Sequence, residues 1–303
     1  MNTILLTGVT GQVGQELQQT LTPLGKVIGV TRQQLDLSQP ESIREALASV
    51  KPNIIVNAAA YTAVDKAETE SELAKAINGI APTVIAQAAQ QIGATLVHIS
   101  TDYVFDGKQY LPYQETDSPN PQGMYGKSKL LGEEGVRKYS DRHIILRTAW
   151  VYGSRGHGNF VKTMLRLGKE REEIRVVTDQ IGTPTWSYDL AIAISKLLLK
   201  LHTPSQSELT NSSLREIYHF TNSGVASWYD FAVAIFAEAQ QLDFPLKVKQ
   251  IIPITTAQYP TPAQRPPYSV LSKVKIAKVL GEYPPYWRDS LKQMLSQLKT
   301  SNS

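Results

Sequence analysis

Cysteine is absent from this chain of 303 residues, which excludes disulfides and thiolate-held metal ions. Histidine is scarce. His98, His143, His157, His202 and His219 are scattered, and no two stand at the spacing of a helical metal site, so no metal site is expected. No apolar run approaches the length of a bilayer span, so no membrane segment is expected. No basic stretch followed by a long apolar one precedes the strand entered by Ile4. A secretory signal is therefore not expected, and a cytoplasmic location is. Runs of five or more basic residues are also missing. The net charge of +4 is dispersed, which argues against nucleic acid as a partner and leaves room for a small anion. No Gly-x-Ser-x-Gly elbow marks a hydrolase nucleophile.

What remains is an ordinary soluble composition, 42% hydrophobic and 19% charged. The length allows one large α/β domain or two unequal lobes. Strands are expected at 3–7, 26–31, 53–58, 95–99 and 143–147, with helices from just after Gly14 to about Leu21 and over 42–50, 70–93 and 125–139 between them. This alternation predicts a Rossmann-type doubly wound α/β fold with a parallel sheet. Residues 106–123 hold three prolines and two glycines and read as a loop over the active site. After residue 150 the texture changes. Helices are expected at 159–169, 187–201, 227–241 and 286–298, the third opened by Ser227 with Asp230 as a capping box. Residues 203–213 read as an exposed polar loop, 259–267 as a proline-stiffened extended segment, and the last four residues as a disordered tail. The expected division is an NAD(P)-binding domain over 1–150. Residues 151–303 form mainly a smaller α/β substrate-binding lobe, with some segments returning to the core.

Gly8, Gly11 and Gly14 stand between the first strand and the first helix. Glycines there let backbone approach a pyrophosphate at a helix N-terminus. Thr10, Gln12 and Val13 belong to the same loop. Thr31 and Arg32 follow the second strand, where an acid would favour NAD and an arginine accommodates the 2′-phosphate of NADP. NADPH is thus expected, with NADH usable. Asp36 and Leu37 can meet the adenine edge, although Asp36 can equally cap the next helix.

Tyr125 and Lys129 are four apart and share one helix face. A neighbouring ammonium lowers a phenol's pKa and makes it a proton shuttle. The Tyr-x-x-x-Lys pattern occurs once, which is near chance frequency with 14 tyrosines, so it gains weight only from the motifs upstream. Thr101, just past the strand that starts at Thr95, can hydrogen-bond the oxygen that Tyr125 protonates.

The blocks Gly8–Gly14, Asn57–Glu68, Ser100–Gly107, Tyr125–Lys129, Arg147–Gly153, Asn159-Phe160, Asp179–Thr185 and Tyr259–Pro266 together resemble the extended short-chain dehydrogenases/reductases. More narrowly they resemble the dTDP-4-dehydrorhamnose reductase family. The resemblance covers nearly the whole chain. It implies NAD(P)H-dependent reduction of the C4 ketone of dTDP-4-dehydro-L-rhamnose, with Thr101, Tyr125 and Lys129 catalytic and Lys129 holding the nicotinamide ribose. By the same resemblance Ala58, Ala59 and Ala60 touch the cofactor. Val64, Asp65, Thr101, Asp102, Tyr103, Trp150 and Arg265 touch the substrate, Arg265 at the diphosphate. Asp65 can instead pair locally with a lysine. Tyr103 stands where related dehydratases carry a second acid, which favours simple reduction. Some members hold Mg²⁺ with acids between subunits. Glu16 matches one ligand, but Tyr188 and Gln297 stand where acids are expected, so Mg²⁺ is doubtful. A homodimer is compatible with the resemblance. Two alternatives stay open: another nucleotide-sugar reductase or epimerase, and a non-catalytic cofactor-binding regulatory subunit.

Overall fold

The computed structural model describes residues 2–156, 158–202 and 214–301. The loop expected at 203–213 and the last two residues of the expected tail lie outside the described residues.

The first half alternates strand and helix: β1 (Asn2–Thr7), α1 (Gln12–Thr20), β2 (Gly25–Val30), α2 (Pro40–Val50), β3 (Ile54–Asn57), α3 (Ser71–Lys75), α4 (Ala81–Ile92), β4 (Thr95–Thr101), α5 (Met124–Tyr139) and β5 (His143–Thr148). Pro40, expected just ahead of α2, is its first residue, where a missing N–H costs nothing. A π-helical turn (Ala76–Ile80) joins α3 to α4.

The second half continues with β6 (Val151–Tyr152), α6 (Phe160–Glu170), β7 (Glu173–Val177), β8 (Ile181–Gly182), β9 (Thr185–Trp186), α7 (Ser187–His202), β10 (Arg215–His219), β11 (Ala226–Ser227), α8 (Trp228–Gln241), β12 (Gln250–Ile254), α9 (Val274–Leu280) and α10 (Trp287–Ser301). The capping box expected at Ser227 is present, with Ser227 and Asp230 bonding each other's backbone N–H.

Six strands form one parallel sheet in the order β10-β5-β4-β3-β1-β2. Strand side chains alternate between its faces. Ile4, Leu6, Val56 and Val97 pack against α1 and α7 on one face. Leu5, Ile55, Leu96 and Ile145 pack against α2 and α4 on the other. The doubly wound α/β fold is therefore as expected. A third core joins α6, α8 and α10 through Met164, Phe231, Ile235 and Leu291. There β7 and β12 pair in parallel. These two strands and β10 were not anticipated from the sequence. Their partners lie 77 residues away for Glu173 and Gln250, and 72 for Arg147 and His219, beyond the reach of local pattern.

Strand order turns back between β1 and β3. In open α/β sheets, the carboxyl ends of strands at such a point form a crevice.

Candidate active site

A groove of about 830 Å³ opens at these strand ends. It is lined by Gly8, Thr10, Gly11, Gln12 and Val13 of the glycine loop, Thr31, Arg32, Asp36 and Leu37 after β2, and Ala58, Ala59 and Ala60 after β3. Val64, Thr101, Asp102, Tyr103, Tyr125, Lys129 and Trp150 line the same groove. Gly14, Asp65 and Arg265 do not. Residues 106–123 do not line it either, contrary to expectation. That segment is pinned elsewhere: Tyr113 stacks on Phe105 with centroids 4.2 Å apart, and both are buried with Leu271.

The glycine loop fits a dinucleotide. Gly8 has φ +73°, and a Cβ there would sit 2.7 Å from the Ala59 N atom, so a side chain would fill the cradle. No side chain caps the first turn of α1, and no acid stands in it. Its N–H groups and dipole are left facing the groove. Arg32 is exposed at the groove edge. Asp36 accepts from the Ser38 N–H and hydroxyl at 2.9 and 2.8 Å, which holds its carboxyl below the usual range; it closes the turn before α2.

Several distant residues fix α5. Its first N–H, from Met124, donates to Glu68 at 2.8 Å. Asn78, presented by the π-helical turn, bonds both the backbone of Tyr61 and the hydroxyl of Ser128. A Cβ at Gly126 would fall 2.2 Å from the Tyr103 carbonyl oxygen, so only glycine lets α5 press against the turn after β4. Neither Glu68 nor Asn78 was singled out as a site residue, because each reaches α5 from 50 or more residues away.

Thr101 ends β4 rather than following it. Its hydroxyl donates to Asp102 at 3.0 Å and accepts from the Tyr103 N–H at 3.2 Å. Tyr125 is half-buried and edge-on to Tyr103, centroids 5.4 Å apart. Burial pushes the Tyr125 phenol up to about 12, and the Thr101 hydroxyl pulls the other way. The net shift, set by burial, is therefore upward, and the lowering by Lys129 expected from the sequence is not among its causes. Lys129 turns its Nζ to the Ile99 carbonyl at 2.6 Å, and burial brings its own pKa down to about 8.

His98, buried in β4, lies beside it. The Thr7 hydroxyl donates to Asn57 Oδ1 at 2.7 Å, so Asn57 Nδ2 faces His98 Nδ1 at 3.1 Å as donor. Burial holds this histidine well below its usual pKa and therefore neutral.

Asp102 is 2% exposed, and its Oδ2 has no hydrogen-bond partner. Burial raises its carboxyl to about 6. Burial, followed by the charge of Asp102, likewise raises the Tyr103 phenol. Trp150 adopts the left-handed φ of +47° and stacks on Trp228, centroids 3.6 Å apart. Such a conformation costs of order 1–3 kcal/mol and persists only where surroundings fix it. Trp228 also lines the groove. As the first residue of α8 it carried no signal beyond its aromatic ring.

Asp65 and Arg265 meet each other instead of the groove or a local lysine. Glu16, 2% exposed, lies 3.6 Å from Arg155 through Oε2. Among the described residues no group of three His, Asp or Glu could hold a metal ion. Gln297 accepts from the Ser154 hydroxyl at 3.3 Å. Only Oε2 of Glu16 faces Arg155; its Oε1 is buried without a hydrogen-bond partner.

The switch-point groove of the doubly wound sheet thus gathers the glycine cradle with Thr101, Tyr125 and Lys129. The model of the family described as "RmlD substrate binding domain" matches residues 1–300, and the chain belongs to that family. It is 43% identical to the dTDP-4-dehydrorhamnose reductase of Escherichia coli (strain K12), over 99% of each chain. With the enzyme of the same name from Burkholderia thailandensis it shares 44% identity over 94% of this chain and 95% of the other. The crystal structure of dTDP-4-dehydrorhamnose reductase from Bacillus anthracis in complex with NADP is 38% identical. It superposes with a TM-score of 0.88, covering 98% of this chain and 99% of that one.

Proposed function

We propose that the protein is an NADPH-dependent dTDP-4-dehydrorhamnose reductase, converting the C4 ketone of dTDP-4-dehydro-L-rhamnose to the alcohol. The observation that carries this reading is the convergence of Thr101, Tyr125 and Lys129 on the groove that also holds the glycine cradle. Residues Gly8 to Val13 would hold the cofactor pyrophosphate, Arg32 the 2′-phosphate and Lys129 the nicotinamide ribose. When bound, the cofactor supplies a hydride to the carbonyl carbon. Negative charge then gathers on the carbonyl oxygen. The Thr101 hydroxyl, turned from Asp102 to the substrate, would stabilise it, and the Tyr125 phenol would protonate it. A phenol pushed up to about 12 carries its proton at neutral pH and is ready to give it. The indole of Trp150, locked against Trp228, offers the sugar a flat apolar wall. Tyr103 cannot act as the second acid of a dehydratase, which supports reduction without elimination.

Incubation with dTDP-4-dehydro-L-rhamnose and either NADPH or NADH tests the reading. Loss of cofactor absorbance and formation of dTDP-L-rhamnose are expected, faster with NADPH. Cofactor binding without turnover would point to a regulatory subunit, and an isomerised product to an epimerase. A homodimer and a cytoplasmic location belong to the same reading. Sedimentation velocity decides the first. Cell fractionation decides the second.

A further inference from the structure

Two consecutive residues near the end of β4 are held by two different turns of α5. The Ile99 carbonyl accepts from Lys129 Nζ at 2.6 Å. The Ser100 hydroxyl donates to Glu133 Oε1 at 2.5 Å. Thr101, the next residue, lines the groove together with Tyr125. Tyr125, Lys129 and Glu133 are spaced by four and therefore share one face of the helix. The first contact belongs to a reacting group. The second ends on a carboxylate that does not line the groove.

Glu133 is 1% exposed and Arg147, from β5, is 2% exposed. They join through Arg147 Nε at 2.9 and 3.2 Å and an Nη at 2.6 Å. Arg147 lies over the Phe105 ring, 5.1 Å from its centroid, and 3.5 Å from His219 Nε2. Burial and that guanidinium bring His219 down to about 3, so it adds no charge. A buried ion pair is a costly way to fasten a helix, and well-packed apolar residues often hold as well or better. An apolar pair, however, could not place a negative charge one turn from Lys129. That charge favours the protonated lysine, against the burial that disfavours it. The other titratable groups beside Lys129 are neutral His98 and the protonated phenol of Tyr125.

We propose that Glu133, anchored by Arg147 and Ser100, is a positioning residue of the reaction: it sets the register of α5 on β4 and holds a carboxylate one helical turn from Lys129. This inference rests on reduction at the Thr101–Tyr125–Lys129 site.

Glu133→Gln removes the charge and keeps the shape, but leaves Arg147 buried without its partner. The double variant Glu133→Gln/Arg147→Met is therefore measured beside it. Lysine carrying ¹³C at Cε allows the Lys129 titration to be followed by NMR, assigned by comparison with Lys129→Met. In both variants the Lys129 midpoint is expected to move to lower pH by about 1. The basic limb of kcat/KM should move with it. Turnover should fall about tenfold or more, with NADPH affinity held within about twofold. Ser100→Ala should lower kcat and leave the limb in place. A double variant with wild-type rate and wild-type Lys129 midpoint would overturn the proposal and leave Glu133 as packing. Should the wild type reduce no keto-sugar, the reductase reading fails, and the Lys129 midpoint still decides what Glu133 does.

Discussion

Asp65 and Arg265 stand 200 positions apart and meet in a two-point ion pair, with Nη–Oδ distances of 2.9 and 3.1 Å. The pair ties the segment after β3 to the proline-stiffened segment at 259–267. The Ala263 N–H adds a third bond to the same carboxylate at 3.2 Å. The guanidinium of Arg265 is thus held on one edge, which keeps its remaining donors in a fixed plane; on the proposed reading these would meet the diphosphate. Asp65→Asn is expected to raise KM for the nucleotide sugar about tenfold, with kcat within about twofold. Arg265→Lys, which loses the fork, should do at least as much. Steady-state kinetics showing a fall in kcat at unchanged KM would remove the pair from substrate binding.

Tyr125→Phe keeps the ring against Tyr103 and removes only the hydroxyl. Turnover should drop by about 10²-fold or more. Fluorescence titration should find NADPH binding preserved. Near-wild-type turnover would sink the proton-donor assignment.

Asp102 is harder to ionise in the fold than in the unfolded chain, because burial raises its pKa to about 6. Its contribution to stability is therefore intact at acid pH and is lost as pH rises through that value. Asp102→Asn should melt higher than wild type at pH 8, by about 2–4 °C for roughly 1 kcal/mol. Below the unfolded carboxyl's ordinary 3.8 the two should melt together, and the difference should open as pH rises from there to about 6. An equal difference at both ends of this range would show that ionisation is not the cause.

Glu16 has Arg155 as its counter-charge, although burial still raises its pKa. EDTA is expected to leave both the melting temperature and the rate unchanged, and added Mg²⁺ to restore nothing. Loss of activity in EDTA that Mg²⁺ reverses would overturn this account of Glu16.

The parts of the site that were legible in the sequence are those that act over a few residues. The glycine loop, the Thr101-Asp102-Tyr103 turn and the Tyr125–Lys129 spacing are local patterns, and all converge on the groove. Asp65–Arg265, Glu133–Arg147 and Trp150–Trp228 were not legible as pairs, because topology, not spacing, brings them together. The protonation of Tyr125 was misjudged for a related reason. Helical spacing says that a lysine is near, but not that its Nζ turns to the Ile99 carbonyl, nor that the phenol is desolvated.

The edge strand β10 has a consequence for how the molecule is made. Arg215–His219 pairs with His143–Arg147 and completes a sheet whose other five strands end by Thr148. During synthesis those five strands emerge first and must wait for some 70 further residues before their last partner arrives. Until then, the backbone edge of β5 and the hydrophobic face awaiting α7 stand open. A chain truncated near residue 150 should therefore aggregate rather than fold, and nascent chains of that length are where a chaperone would be needed.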